Sequence, residues 1–341
     1  MRFWFGNGAW AGKKARQIIQ HIEPEQIRSI AVIRHAALGD LILTRPFLIE
    51  LRKQFPQATI TLSLVSNYRR GAPEDLVDRL HIIYGTDRRE VSMRAQIRKA
   101  RELGPQDLLF DLAATPRSFW LCALTRAQLK FGFPAHRLQQ HLFYDVTVPR
   151  SDMRFEAEAM LDMLNAIGIK TAMPLEFALP GEPHRAARPY VVYFTSASAP
   201  HKCWPEERFA TLIRQLAVQY PQRDHVVLAG VRPEESVAGL MQAIGPAANV
   251  STCQIDSVDA TISFIKGARL VVSNDTGIRH LAIAAGTPSL GLFFATDPFI
   301  ATPFRYWPRF GRHEIALRID GQWPSVDEVL PLVGKLLDEP A

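Results

Sequence analysis

Two stretches in which strand-like and helix-like runs alternate, separated by a proline-rich break, constrain this chain more than any other feature. Pro174, Pro180, Gly181, Pro183 and Pro189 fall within sixteen residues, which marks a linker or domain boundary. Before the break, residues 29–34, 59–65, 81–84, 107–111 and 130–133 read as strands. Residues 91–103, 116–124 and 155–167 read as helices, the last with Met160, Leu161 and Leu164 on one face. After it, strands at 190–195, 226–229, 270–272 and 288–294 alternate with helices at 205–219, 234–244 and 258–266, and an amphipathic helix at 326–337 ends the chain. Such alternation predicts parallel sheets with helices on both faces, in two similar α/β halves that imply a cleft between them. A chain of 341 residues fits two domains at about 150 residues each.

Composition removes several classes. With 47% hydrophobic and 22% charged residues the chain has the make-up of an ordinary globular protein. Cys122, Cys203 and Cys253 are odd in number and lack CxxC spacing, which argues against a disulfide framework or zinc site and suits a reducing cytoplasm. No apolar run reaches the roughly 18 residues of a membrane span, and no signal-peptide core is visible. The net charge of +6 suits phosphorylated small molecules, an anionic membrane surface or nucleic acid. Dispersed Arg and Lys without a reader motif make nucleic acid the weakest of these. At the amino end, Phe3, Trp4, Phe5 and Trp10 sit among glycines before Lys13, Lys14 and Arg16. They either lie in a membrane interface or pack against the body of the protein.

Four stretches carry chemistry. The strand at 29–34 runs into His35-Ala36-Ala37-Leu38-Gly39-Asp40, and one helix follows with Leu41, Leu43, Phe47, Leu48 and Leu51 on one face. Asp40 thus lies at a helix start beyond the carboxyl end of a strand, where open α/β sheets hold ligands. It is either an N-cap or a general base. Thr195-Ser196-Ala197-Ser198 precedes His201-Lys202-Cys203-Trp204-Pro205. Hydroxyls and a lysine before a helix suit a phosphate clamp; the plainer reading is a loop with Trp204 packed beneath. Beyond Gly230, Glu234 or Glu235 could accept from a ribose or simply favour the next helix start. In Asn274-Asp275-Thr276-Gly277-Ile278-Arg279-His280-Leu281-Ala282, polar residues break a buried strand and Thr276-Gly277 open a helix that runs to Gly286. Free N–H groups and the positive dipole end there make a seat for phosphate, within reach of His280. The plainer reading is a helix capped by Asp275 or Thr276, with His280 on the surface. Gly-x-Gly-x-x-Gly, Gly-x-Ser-x-Gly and metal-ligand clusters do not occur.

Taken in order, these stretches with Thr296-Asp297-Pro298 resemble glycosyltransferase family 9, the bacterial lipopolysaccharide core heptosyltransferases, over residues 28–305. The resemblance implies a GT-B fold, two Rossmann-like domains facing a central cleft, spanning residues 1–180 (acceptor side) and 181–341 (nucleotide-sugar side), with a terminal helix free to pack back on the first. It implies an inverting, metal-independent transfer of a heptose-like sugar from an ADP-sugar, a co-substrate rather than a cofactor, to a lipid-linked oligosaccharide of the lipopolysaccharide core or a related glycan. By the same match Asp40 is the catalytic base, Arg34 and Gly39 lie on the acceptor side, and Thr195, Ser196, Lys202, Glu234, Asp275, Thr276, Gly277 and His280 bind the donor. A cytoplasmic enzyme in peripheral contact with the anionic inner membrane, with no role for nucleic acid, follows. The alternatives are a nucleotide-sugar epimerase of the same architecture and a non-catalytic sugar-nucleotide-binding protein of envelope assembly. The chain departs from the family pattern at Asn274 and at Phe294-Ala295, differences expected to tune the sugar or nucleotide held.

Overall fold

Apolar runs of five to seven residues pair into two separate sheets, one on each side of the proline-rich break. The computed structural model describes residues 9–88, 90–134, 142–294 and 303–339. Phe3, Trp4, Phe5 and the segment Ala295-Thr296-Asp297-Pro298 lie outside them. The chain divides into units 1–177 and 178–341, within the proline-rich stretch.

In the first unit, β1 (Trp10–Ala11), β2 (Ser29–Ile33), β3 (Thr59–Val65), β4 (Arg79–Ile83), β5 (Gln106–Asp111), β6 (Ala127–Gly132) and β7 (Val146–Thr147) lie in the order β1-β7-β6-β5-β2-β3-β4. All pairings are parallel except that of β1 with β7. The helices are α1 (Lys13–Gln20), α2 (Leu38–Leu43), α3 (Arg45–Gln54), α4 (Met93–Arg101), α5 (Pro116–Leu124) and α6 (Glu156–Asn165). The expected single helix after Asp40 is two. Pro46 lacks the N–H that would continue the ladder, and Thr44 ends α2 with its hydroxyl on the Asp40 carbonyl at 2.7 Å. Leu41, Leu43, Phe47, Leu48 and Leu51 are nonetheless all buried, because the apolar spacing survives the break.

The second unit holds β8 (Tyr190–Phe194), β9 (Asp224–Ala229), β10 (Val250–Gln254), β11 (Leu270–Asn274), β12 (Ser289–Phe294) and β13 (His313–Arg318), all parallel, in the order β10-β9-β8-β11-β12-β13. Around it lie α7 (Glu206–Gln219), α8 (Ala238–Ile244), α9 (Val258–Gly267), α10 (Gly277–Ala285) and α11 (Val326–Asp338). β10 and β13 escape a reading by hydropathy because both are edge strands in which at least half of the residues are polar or charged. β11 extends two residues past the expected break, since Ser273 and Asn274 are buried and pair with Gly291 and Leu292. α8 starts four residues late because Pro233–Glu235 form a separate 3-10 turn. The terminal helix α11 packs within the second unit. Its Val329, Val333, Leu336 and Leu337 join the core of the second beside Tyr193, Phe209 and Leu216, and its last carbonyls accept from Arg223, Arg269 and Arg312.

Both sheets bury histidines between strands and helices. His225 bonds the Tyr193 hydroxyl at 2.7 Å and His313 bonds Ser289 at 2.9 Å. Burial lowers His225 to about 4 and His313 to about 3. Unfolded histidines titrate near 6.5, so below that pH the unfolded chain takes up protons the folded chain refuses. Stability is therefore full above pH ~6.5 and falls as the pH drops, by up to about 1.4 kcal/mol per pH unit for each group. We expect the thermal midpoint to decline between pH 6.5 and 5. His225→Gln, which cannot be protonated, should flatten that decline by one group's share, whatever it does to the midpoint at pH 7.

Candidate functional site

Strand order reverses between β2 and β5 in the first sheet and between β8 and β11 in the second. At such points the loops leaving the two strands diverge and open a crevice at their carboxyl ends. The residues singled out from the sequence fall at these reversals, except Glu234 and Glu235, which follow β9.

In the first unit the site is built on Arg34, which continues the β2 ladder with its N–H on the Ser63 carbonyl at 3.0 Å. The residue is 1% exposed. Nη1 donates to the Leu112 carbonyl at 2.5 Å, and Nη2 to Asp40 Oδ1 and Glu156 Oε1, each at 3.0 Å. Glu156 is fully buried and also takes Arg150. A cation thus sits between one enclosed carboxylate and one partly open, for the Asp40 side chain is 27% exposed. Asp40 is not the cap of α2: Ala37 holds that position and offers no side chain, while Asp40 is the third residue, after buried Gly39. Among the described residues no donor engages its Oδ2.

The Leu112 carbonyl is held by the turn after β5. There buried Asp111 accepts from the N–H groups of Ala113 and Ala114 at 2.9 and 3.1 Å and from Tyr144 at 2.7 Å. These bonds hold Ala114 at a φ of +51°, a left-handed conformation that L-residues resist. Burial raises the Asp111 carboxyl despite them. On the other side of β2, His35 lies against Ser63 (3.4 Å), which bonds His81 at 2.9 Å. Burial, then Arg117 and His81, depress His35 to about 3.

In the second unit Asn274 is the organiser. Fully buried at the end of β11, it donates Nδ2 to the Thr195 carbonyl at 2.6 Å and accepts the Trp204 N–H at 3.0 Å. Thr195, Ser196 and the Lys202 turn are thereby tied to the start of α10. Both ends of the amide are used inside the protein, where they brace the two loops. Trp204 is buried as expected, its indole N–H on the Pro324 carbonyl at 2.8 Å.

The expected cap on α10 is not made. Thr276 is at the N-cap position but caps nothing with its hydroxyl, whose buried oxygen has no partner among the described residues. The Asp275 carboxylate turns to Lys202 instead, Oδ2 to Nζ 3.4 Å. The first N–H of α10, that of Gly277, is left without a side-chain acceptor among the described residues. His280 is not a surface residue: it is buried, its ring centroid 4.9 Å from that of Tyr306. Beside it Arg279 is fully buried, bonded to the Tyr306 carbonyl and lying 5.3 Å over the Phe293 ring. It fits because Gly291 has no Cβ, which would stand 2.3 Å from its Nε. Burial lowers this guanidinium to about 10. Of the two glutamates, Glu235 is bound by the Arg232 guanidinium and N–H, whereas Glu234 is exposed with one looser contact at 3.4 Å. Among the described residues no three His, Cys, Asp or Glu side chains gather as metal ligands would.

Sequence reasoning missed Glu156, Arg150 and the roles of Asn274 and Arg279. Glu156 lies 122 residues from Arg34 at the start of a helix, where a glutamate ordinarily reads as a dipole partner. No local signal distinguishes it.

Comparison with known proteins settles the lineage. The profile of glycosyltransferase family 9 (heptosyltransferase) matches residues 97–306, more than half of the chain. The chain belongs to this family. It is 23% identical to lipopolysaccharide heptosyltransferase 3 of Escherichia coli over 292 residues, covering 78% of this chain and 83% of that protein. Among solved structures, a family 9 glycosyltransferase from Veillonella parvula superposes with a TM-score of 0.75 at 21% identity, covering 93% of this chain and 98% of that one. E. coli heptosyltransferase WaaC with ADP-2-deoxy-2-fluoro heptose does so at 0.73 and 18% identity, covering 90% and 99%. The fold is GT-B, and the chain is a glycosyltransferase rather than the epimerase or non-catalytic protein of the alternative readings.

Two substitutions test this framework by chemical denaturation. Arg34→Ala leaves buried Glu156 with Arg150 alone and the Leu112 carbonyl without its donor, and should cost about 3 kcal/mol. Asn274→Ala strands the Trp204 N–H and the Thr195 carbonyl and should cost about 1–3 kcal/mol.

Proposed function

We propose that this glycosyltransferase moves a heptose-like sugar from an ADP-sugar to the lipopolysaccharide core or a related cell-surface glycan, with inversion and without a metal ion. Asp40 carries the reading: a partly open carboxylate at the head of a helix, fixed through one oxygen by a buried arginine and free at the other. Asp40 Oδ2 takes the proton of the acceptor hydroxyl, and the hydroxyl oxygen attacks the anomeric carbon from the face opposite the diphosphate. The new C–O bond forms as the bond to phosphate breaks, so no covalent enzyme intermediate arises. Arg34 acts as a positioning residue, and Gly39 leaves the first turn of α2 open to the acceptor.

The leaving nucleoside diphosphate goes to the second unit. The N–H of Gly277, the Thr276 hydroxyl and His280 bind its oxygens, Thr195 and Ser196 flank it, and Lys202 neutralises it. Asp275 holds Lys202 beside the head of α10 until the phosphates compete for it. Glu234, freer than Glu235, faces the ribose. Charge supplied in this way makes a metal ion unnecessary. Among the described residues no helix is long and apolar enough to cross a membrane. A cytoplasmic enzyme that meets a lipid-linked acceptor at the inner membrane face, without nucleic acid, completes the proposal.

Calorimetric titration with ADP, UDP, GDP and CDP, with and without EDTA, tests it. ADP should bind most tightly, EDTA should change nothing, and Lys202→Ala should weaken binding tenfold or more. Asp40→Asn should keep ADP affinity while turnover falls about 10²–10⁴-fold. A preference for UDP or GDP would discard the ADP-heptose donor, and full turnover by Asp40→Asn would remove the base assignment.

A further inference from the structure

The helices α4 and α5 lie side by side on the first sheet, their inner faces sharing a core in which Ala100 packs against Leu103, Phe119, Leu121 and Cys122. Their outer faces are unusual in charge. Neither helix contains an aspartate or glutamate. Arg94, Arg98 and Arg101 follow one another at i, i+4 and i+7, a single stripe along α4, and all three are exposed. Arg117, Trp120 and Leu124 form the matching exposed stripe of α5, and exposed Arg126 follows it. Among the described residues none of these five arginines has an ion-pair partner; the nearby Glu102 is bonded to Lys99 at 2.6 Å.

Helix stability accounts for only part of this. Cations in the last turn of α4 suit its dipole, but Arg117 is in the first turn of α5, where a cation opposes it. Trp120 is 70% exposed, as is Met93 at the start of α4, although burying such side chains is favourable. Arginines interleaved with an exposed indole and aliphatic side chains match a surface that is anionic and apolar at once. A nucleic-acid backbone would use the arginines and leave Trp120, Leu124 and Met93 in water.

We propose that the outer face of α4 and α5 docks the protein on an anionic lipid bilayer, with Trp120 and Leu124 at the headgroup boundary and the arginines on the phosphates. α5 leaves the carboxyl end of β5, the end of the sheet at which Asp40 sits, so a lipid-linked acceptor would be presented on that side. This orientation rests on the acceptor class proposed above; the docking face itself does not.

The test is co-sedimentation with vesicles of phosphatidylcholine alone and with phosphatidylglycerol added, at low and high salt. The wild type should bind the anionic vesicles only, and less at high salt. Arg94→Gln/Arg98→Gln/Arg101→Gln should lower partitioning on the order of a hundredfold, with the ADP titration unchanged as proof of folding. Trp120 should shift its emission to the blue on binding, read as wild type minus Trp120→Phe. Unchanged binding by the triple variant would overturn the proposal, as would binding abolished only by deleting residues 1–8. Retention on duplex DNA without vesicle binding would overturn it in favour of nucleic acid. Failure of ADP to bind the wild type would bear on the donor assignment and leave the surface untouched.

Discussion

A guanidinium enclosed in a protein must be matched by charge and hydrogen-bonding partners, and the first unit is arranged around that requirement. Arg34 gathers the Leu112 carbonyl, Glu156 and Asp40, drawn from the ends of β2 and β5 and the starts of α2 and α6. Such a cluster adds little net stability over an apolar core of equal volume, since desolvation offsets much of the attraction. What it supplies is position. With Arg34 immobile and one Asp40 oxygen bonded to it, the other oxygen has a defined direction. A group proposed to take a proton in a transition state has to be placed before the substrate arrives.

The second unit reaches the same end with a neutral group. Asn274 ties the loop after β8 to the strand that leads into α10, so the Lys202 turn and the helix head are braced by one buried amide. The uncapped start of α10 has a cost: donors that Thr276 or Asp275 could satisfy are left open. Local stability conflicts here with the anion site proposed for this helix head. Lys202 and Asp275, both partly exposed, contribute little as an ion pair, which leaves the lysine ready for a stronger anion.

Much of the architecture was legible because hydrophobic spacing reports which face of an element is buried. β3 and α5 occupy the expected residues, and most other central strands and helices differ by one to three residues at an end. Misreadings cluster where spacing loses its force. Edge strands β10 and β13 carry too many polar residues to leave an apolar pattern, Ser273 and Asn274 continue a strand although polar, and Pro46 divides a helix whose apolar face is continuous. Of the site, residues local to a strand–loop–helix junction could be named from their neighbours, Asp40 and Thr276-Gly277 foremost. Their partners could not.

The amino-acid sequence by itself determined two α/β units, the junctions where ligands would sit and the family, because each depends on contacts between residues close in the chain or on a pattern carried along it. Only the tertiary structure decided that Arg34 is enclosed between Asp40 and Glu156, that Asn274 is a brace, that His280 and Arg279 are buried, and that α11 belongs to the second core. Those facts depend on which distant segments share one volume. A charge or amide has no periodicity to announce its partner, and its role is set by what surrounds it once the sheets have formed.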